Sequence, residues 1–138
     1  MSKVFIDANF IIAIFKDFDT NHDKAISNID IISENDCYIS NGILKEIITI
    51  LMMRTKNIEL TKKAYRFLND NFTIINEYNI EIFNDKVFSL FKKHNENNFK
   101  LSFIDCSIVV IFKHYGLDSI VSFDKRFKLL DEINLYEF

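Results

Sequence analysis

The stretch Lys3-Val4-Phe5-Ile6-Asp7-Ala8-Asn9 carries a short apolar run that stops abruptly at a carboxylate. Apolar residues without polar alternation suit a strand covered on both faces, the pattern of a parallel sheet. Asn9 then offers an N-cap for a helix over Phe10-Ile11-Ile12-Ala13-Ile14-Phe15. Asp7 would stand at the C-terminal end of its strand, the edge of an open α/β sheet where ligands bind.

The same alternation continues down the chain. A helix is expected from about Asn21 to Ser33, with Ala25, Ile29 and Ile32 on one face, and a strand at Cys37-Tyr38-Ile39. Ser40-Asn41 open a helix with Ile43, Ile47, Ile50 and Leu51 at helical spacing. Thr61 to Asn69 reads as helix and Phe72-Thr73-Ile74-Ile75 as strand. Glu81 to His94 reads as a helix carrying Ile82, Val87, Leu90 and Phe91 on its faces. Ser102-Phe103-Ile104-Asp105 begins an apolar helix that Gly116 ends. Ser119 to Phe123 reads as strand, followed by a turn or short helix from Asp124, and Ile133 to Tyr136 as a last strand. Strands alternating with helices predict a three-layer α/β/α sandwich with a short, mainly parallel central sheet.

Length and composition agree. The chain of 138 residues fits one domain over 1–138, and 49% hydrophobic residues with 15 Phe supply a core. Two Gly and no Pro exclude collagen-like and Pro-rich disordered chains. Two Cys make neither a disulfide framework nor a four-thiolate zinc site, which points to a reducing compartment. No apolar run is long enough to span a bilayer, and Asp7 interrupts any signal-peptide core. A soluble, cytoplasmic protein is expected. Net charge is −3 at pH 7, so bulk charge does not announce nucleic-acid binding. Carboxylates bound to divalent cations would offset that balance, so the acidity does not exclude a polyanionic substrate.

Four acidic residues fall where acids are expensive. Asp7 and Asp124 each follow an apolar strand and would project from one rim of the sheet. Asp105 has Ile108, Val109 and Phe112 at i+3, i+4 and i+7, which puts it on the inward stripe of its helix. Glu46 has Ile43, Ile50 and Met53 around it at helical spacing. Buried carboxylates repel one another and are driven to protonate unless a cation intervenes. Each has a structural reading too. Ser102-x-x-Asp105 is close to a capping box, Glu46 can lie at the edge of its stripe, and Asp7-Ala8-Asn9 and Asp124-Lys125 can be turns.

The order Phe5-Ile6-Asp7-Ala8-Asn9, then Ser40-Asn41-Gly42-Ile43-Leu44-Lys45-Glu46, resembles the first half of a PIN-domain nuclease. Leu101-Ser102-Phe103-Ile104-Asp105-Cys106-Ser107-Ile108, then Ile120-Val121-Ser122-Phe123-Asp124-Lys125-Arg126-Phe127, is similar to the second half. The likeness covers essentially the whole chain and includes the VapC-like toxins of toxin–antitoxin pairs. It implies a metal-dependent endoribonuclease in which Asp7, Glu46, Asp105 and Asp124 are the catalytic and metal-binding acids. Asn9 and Ser122 match polar positions beside them that orient a ligand or the attacking water. It also implies a Mg²⁺ or Mn²⁺ cofactor, an RNA substrate, a homodimer and a cognate antitoxin. Both ions prefer carboxylate oxygen and water. Ile11, Ile12, Ile47, Ile48, Met52 and Met53 are candidate dimer or core residues, and Lys45, Lys125, Arg126 and Lys128 candidate contacts to the RNA backbone.

Other chemistries fit less well. A haloacid dehalogenase-type phosphatase needs a second Asp where Asn9 stands, and a receiver domain needs an acidic pair after the first strand. Gly42 and Gly116 are too few for a phosphate-cradling P-loop. His22, His94 and His114 lie in polar or helix-end contexts and are expected to be surface residues. The main alternative is a catalytically silent PIN-fold binding module.

Overall fold

The computed structural model describes residues 1–98 and 100–138. β1 (Lys3–Ile6) leads into α1 (Ala8–Phe15), α2 (His22–Ser27) and α3 (Asp30–Glu34). β2 (Asp36–Ser40) is followed by α4 (Asn41–Thr55) and α5 (Ile58–Asn71), then β3 (Thr73–Ile75) and a 3₁₀ turn at Glu77–Asn79. α6 (Phe83–Asn95) and α7 (Phe103–Tyr115) precede β4 (Ser119–Val121) and a 3₁₀ turn at Lys125–Leu129.

The strands form a parallel sheet in the order β3-β2-β1-β4. Parallel crossovers are right-handed. The chain therefore moves one way from β1 to β3 with α1, α4 and α5 on one face, and returns to β4 with α6 and α7 on the other. The packing agrees: α1 contacts α2 and α4, α4 contacts α5, and α6 contacts α7. This is the expected three-layer α/β/α sandwich. Val4, Phe5, Ile6, Ile39, Ile120 and Val121 fill the middle layer and are buried on both faces. β1 and β4 are neighbours whose connections leave in opposite directions, so the topological switch point lies between their C-terminal ends.

Several boundaries differ from expectation, each for a local reason. Asp7, not Asn9, caps α1, which therefore begins at Ala8. The helix expected over 21–33 is two helices, because the Asn28 side-chain amide donates to the Lys24 carbonyl at 2.8 Å and ends α2. α5 begins earlier than expected because Asn57 caps it, its Oδ1 accepting the Leu60 N–H at 3.0 Å. Ile82 is no helical-face residue: it precedes α6 with φ +48° and is exposed. β4 stops at Val121 because Ser122 and Phe123 turn toward Asn9. The strand expected at Ile133 to Tyr136 is a single parallel bridge, Ile120 to Leu135. Gly116 does end α7 in the left-handed region at φ +61°, which lets the Leu117 N–H reach the Phe112 carbonyl at 3.0 Å. Among the described residues no helix is long and apolar enough to cross a membrane.

Candidate active site

Asp7 is held by the start of α1 and by the end of β4 at once. Its Oδ1 accepts the Ala8 N–H at 2.8 Å, its Oδ2 accepts the Ser122 hydroxyl at 2.7 Å, and its own N–H donates to the Val121 carbonyl at 2.9 Å. It is only 8% exposed. Desolvation pushes its pKa up to about 7, against the Ser122 and Ala8 hydrogen bonds and with help from the negative charges of Asp105 and Glu46.

The Ser122 hydroxyl is fully committed. It donates to Asp7 and accepts from the Asn9 amide at 3.0 Å and the Asp124 N–H at 3.0 Å. Asn9 also accepts the Phe123 N–H at 3.1 Å through Oδ1. Asn9 thus clips the exit of β4 to the first turn of α1, a placement that leaves its side chain engaged on both ends.

Asp105 is buried in the first turn of α7 and completes a capping box. Its N–H donates to Ser102 Oγ at 3.0 Å, and its Oδ2 accepts the Ser102 N–H at 3.2 Å. The capping reading and the inward placement are both present. Glu46 is half-buried on α4, and burial first, then the charge of Asp105, raises its pKa.

Asp124 caps the last 3₁₀ turn and is gripped by Arg126. The guanidinium donates from Nη2 to Asp124 Oδ2 at 2.6 Å and from Nε to both carboxylate oxygens at 3.0 Å. This side-chain pairing lowers the Asp124 pKa against the effect of burial. Arg126 Nη1 also donates to the Lys100 carbonyl at 2.9 Å, and Nη2 stands 3.5 Å from Asp105 Oδ2. One cation therefore spans two of the four acids, and the charges of Asp124, Asp105 and Asp7 raise its pKa in turn.

The donor set fits a hard dication. It offers carboxylate oxygens without a thiolate or imidazole, the chemistry of Mg²⁺ and Mn²⁺. The charge of Asp105 adds to the raised pKa values of Asp7 and Glu46, that of Glu46 adds to Asp7, and the Arg126 guanidinium stands between Asp105 and Asp124. Among the described residues no three His, Cys, Asp or Glu side chains are gathered closely enough to enclose a bare ion. A dication held there by one or two carboxylates would keep part of its water shell.

Other expected residues fall differently. Ile11, Ile12 and Ile47 belong to the core, whereas Met52 and Met53 are exposed on α4. Lys45, Lys125 and Lys128 are exposed. His22 is not a plain surface residue: it is half-buried with Nδ1 2.7 Å from the Ala13 carbonyl oxygen. His94 lies 3.5 Å from Glu132. Both cysteines are buried and free. Glu77 was not anticipated. It is buried just after β3, its Oε2 accepts the Gly42 N–H at 2.9 Å, and its Oε1 has no hydrogen-bond partner. A Cβ on Gly42 would come within 3.1 Å of that Oε2 and of Ile104 Cδ1, so glycine permits the approach. Only that close approach betrays Glu77, and it is invisible in the sequence.

A family model described as the PIN domain matches residues 4–133. No curated protein sequence matches significantly. Among solved structures, Mycobacterium tuberculosis VapC20, described as a sarcin-ricin loop cleaving toxin, is 20% identical with a TM-score of 0.76. The alignment covers 91% of this chain and 93% of that one. VapBC2 from Rickettsia felis, bound to a DNA fragment from their promoter, is 14% identical with a TM-score of 0.75, covering 99% and 98%. FitAcB from Neisseria gonorrhoeae is 13% identical with a TM-score of 0.64, covering 97% and 96%. These likenesses share the fold seen here, and with a family match over nearly the whole length the chain belongs to the PIN-domain family.

Proposed function

We propose that the protein is a divalent-metal-dependent endoribonuclease, one PIN unit over residues 1–138, and the toxin of a toxin–antitoxin pair. The observation that carries this reading is the burial of Asp7 and Asp105, from opposite ends of the sequence, within electrostatic reach of each other at the switch point. Isolated buried carboxylates are unfavourable, and a cation-binding role accounts for keeping them. The names of the structural neighbours, a cleaving toxin and toxin–antitoxin complexes, support the toxin reading and a cognate antitoxin.

When bound, Mg²⁺ or Mn²⁺ would lower the pKa of a water and stabilise charge on the leaving oxygen of a phosphodiester. Asp7 and Asp105 would hold the cation. The Ser122 hydroxyl fixes the Asp7 carboxylate, making it a positioning residue, and Asn9 holds Ser122 in turn. Glu46 is half-buried and accepts a proton from the attacking water at its carboxylate. Asp124 completes the acidic set, and Arg126 balances its charge. Lys125 and Lys128 contact the phosphate backbone without reading bases. Attack by water leaves a 5′-phosphate and a 3′-hydroxyl. The protein acts in the cytoplasm as a homodimer, with Met52 and Met53 of α4 available to the interface.

The test is incubation of purified protein with a mixed structured RNA, with Mg²⁺ or Mn²⁺ and with EDTA, alongside Asp7→Asn and Asp105→Asn. Metal-dependent cleavage that both variants lose is the expected result. Metal and RNA binding without cleavage would replace the nuclease with a binding module. A 2′,3′-cyclic phosphate product would overturn attack by water.

A further inference from the structure

Beside the acidic cluster, and sharing Ser122 with it, lies a second concavity of about 240 Å³. Lys24, Lys125 and Lys128 line it together with the rings of Phe123, Tyr136 and Phe138. We propose that this concavity is a nucleotide subsite, which takes the base and phosphate of one unpaired RNA residue adjoining the bond cut at the cluster. It rests on the nuclease reading and extends it to the conformation of the substrate.

Three observations converge. The charge is right for phosphate: three lysines face one acid, Glu137, among the lining residues. The aromatic wall is right for a base. Phe123 is braced by Phe10, stacked at 5.8 Å, and by Phe138, edge-on at 5.3 Å, so the wall is rigid. The Lys24 ammonium already sits 5.3 Å over the Phe138 ring, so this ring presents a face to a polar partner. A base entering the concavity displaces this ammonium from the ring to the phosphate beside it, and a face that accepts a cation is also one on which a base can stack.

Position supplies the third. Ser122 Oγ binds Asp7 while Ser122 also lines the concavity. A strand whose phosphate lies at Asp7 thus has a neighbouring nucleotide at the lysines and rings. The space is smaller than the roughly 300 Å³ at which drug-sized pockets begin, so it suits one residue splayed from a strand and excludes a base pair.

The experiment is fluorescence anisotropy of the full chain with a single-stranded oligoribonucleotide over a series of salt concentrations, in EDTA so that the proposed metal-dependent cleavage cannot occur. Lys125→Ala with Lys128→Ala is expected to weaken binding about tenfold and to flatten the slope of log affinity against log salt by roughly 1. Tyr136→Ala is expected to weaken it by about tenfold, and Tyr136→Phe to restore it, because stacking needs the ring and not the hydroxyl. Lys113→Ala, at the far end of α7, should leave binding unchanged. A duplex of the same sequence should bind more weakly than the single strand.

Unchanged affinity in Tyr136→Ala, or unchanged affinity and salt slope in the lysine pair, with RNA still cut by the unaltered protein, would overturn the subsite and leave the nuclease standing. Oligonucleotide binding lost in the pocket variants, by a protein that cuts no RNA with metal, would support the subsite and remove the nuclease. No binding by the unaltered protein would overturn the subsite outright.

Discussion

The two rims of the sheet treat carboxylates in opposite ways. At the N-terminal rim, Lys3, Asp36 and Thr73 open their strands in solvent. There Asp118 is exposed and accepts the Lys3 N–H at 2.7 Å. At the C-terminal rim, Asp7, Ser40, Glu77 and Ser122 are buried. A carboxylate in solvent costs little, whereas one out of water must find compensation. The difference between the rims separates an exposed acid that ties two strand ends together from the buried acids that the proposed metal site would use.

The most severe challenge to that distinction is a matched pair of substitutions. Asp7→Asn and Asp105→Asn should each lower RNA cleavage by about a thousandfold or more, the loss of several kcal/mol of charge stabilisation, measured on end-labelled RNA. Asp118→Asn should leave the rate unchanged, and an equal loss there would erase the contrast.

Stability sharpens it next. Because the folded pKa of Asp7 is raised to about 7, the folded protein binds more protons than the unfolded chain between about pH 4 and 7. That stability is fully present below about pH 4 and lost as pH rises through 7. Denaturant titration in EDTA should give a protein roughly 2–3 kcal/mol more stable at pH 5 than at pH 8. Glu46 acts in the same direction. The lowered Asp124 acts oppositely, but below this window. Asp7→Asn should flatten the profile.

Ser122→Ala removes the hydroxyl that orients Asp7. It should weaken Mn²⁺ binding by about 10- to 100-fold in calorimetry, the usual size of such outer-shell effects. Arg126→Ala removes the competing cation, whose contacts are half exposed, and should tighten Mn²⁺ binding by about threefold to fivefold. Looser binding would show that Arg126 supports the ion and does not compete with it. At the opposite rim, Asp118→Ala should change stability by less than about 1 kcal/mol and metal affinity not at all.

The sequence carried the strands and the register of the acids, because both depend on short-range pattern. Val4-Phe5-Ile6 has no polar break, and the i+3 and i+4 neighbours of Asp105 are apolar, so both acids could be placed before any contact was known. The cap of α1 was not legible. Asp7 and Asn9 are both good caps, and the choice between them is made by Ser122 and Phe123, more than a hundred residues away. Arg126 reads as a candidate contact to the RNA backbone, yet its guanidinium, still half exposed, is engaged by Asp124 two positions earlier and by the Lys100 carbonyl. The last strand failed because β4 is only three residues long and offers its C-terminal neighbour little to pair with.

The central place of β1 in the sheet also has a consequence in time. β1 is the first strand to leave the ribosome, but its pairing with β4 and the Ser122–Asp7 contact wait for a partner 115 positions later. At about 5–20 residues per second, Asp7 stays solvated for roughly 6–23 seconds while the rest of the chain is made. Until then the rim between β1 and β4 is not assembled. Whatever chemistry the rim performs waits until Ser122 has emerged, with long-range closure as the gate.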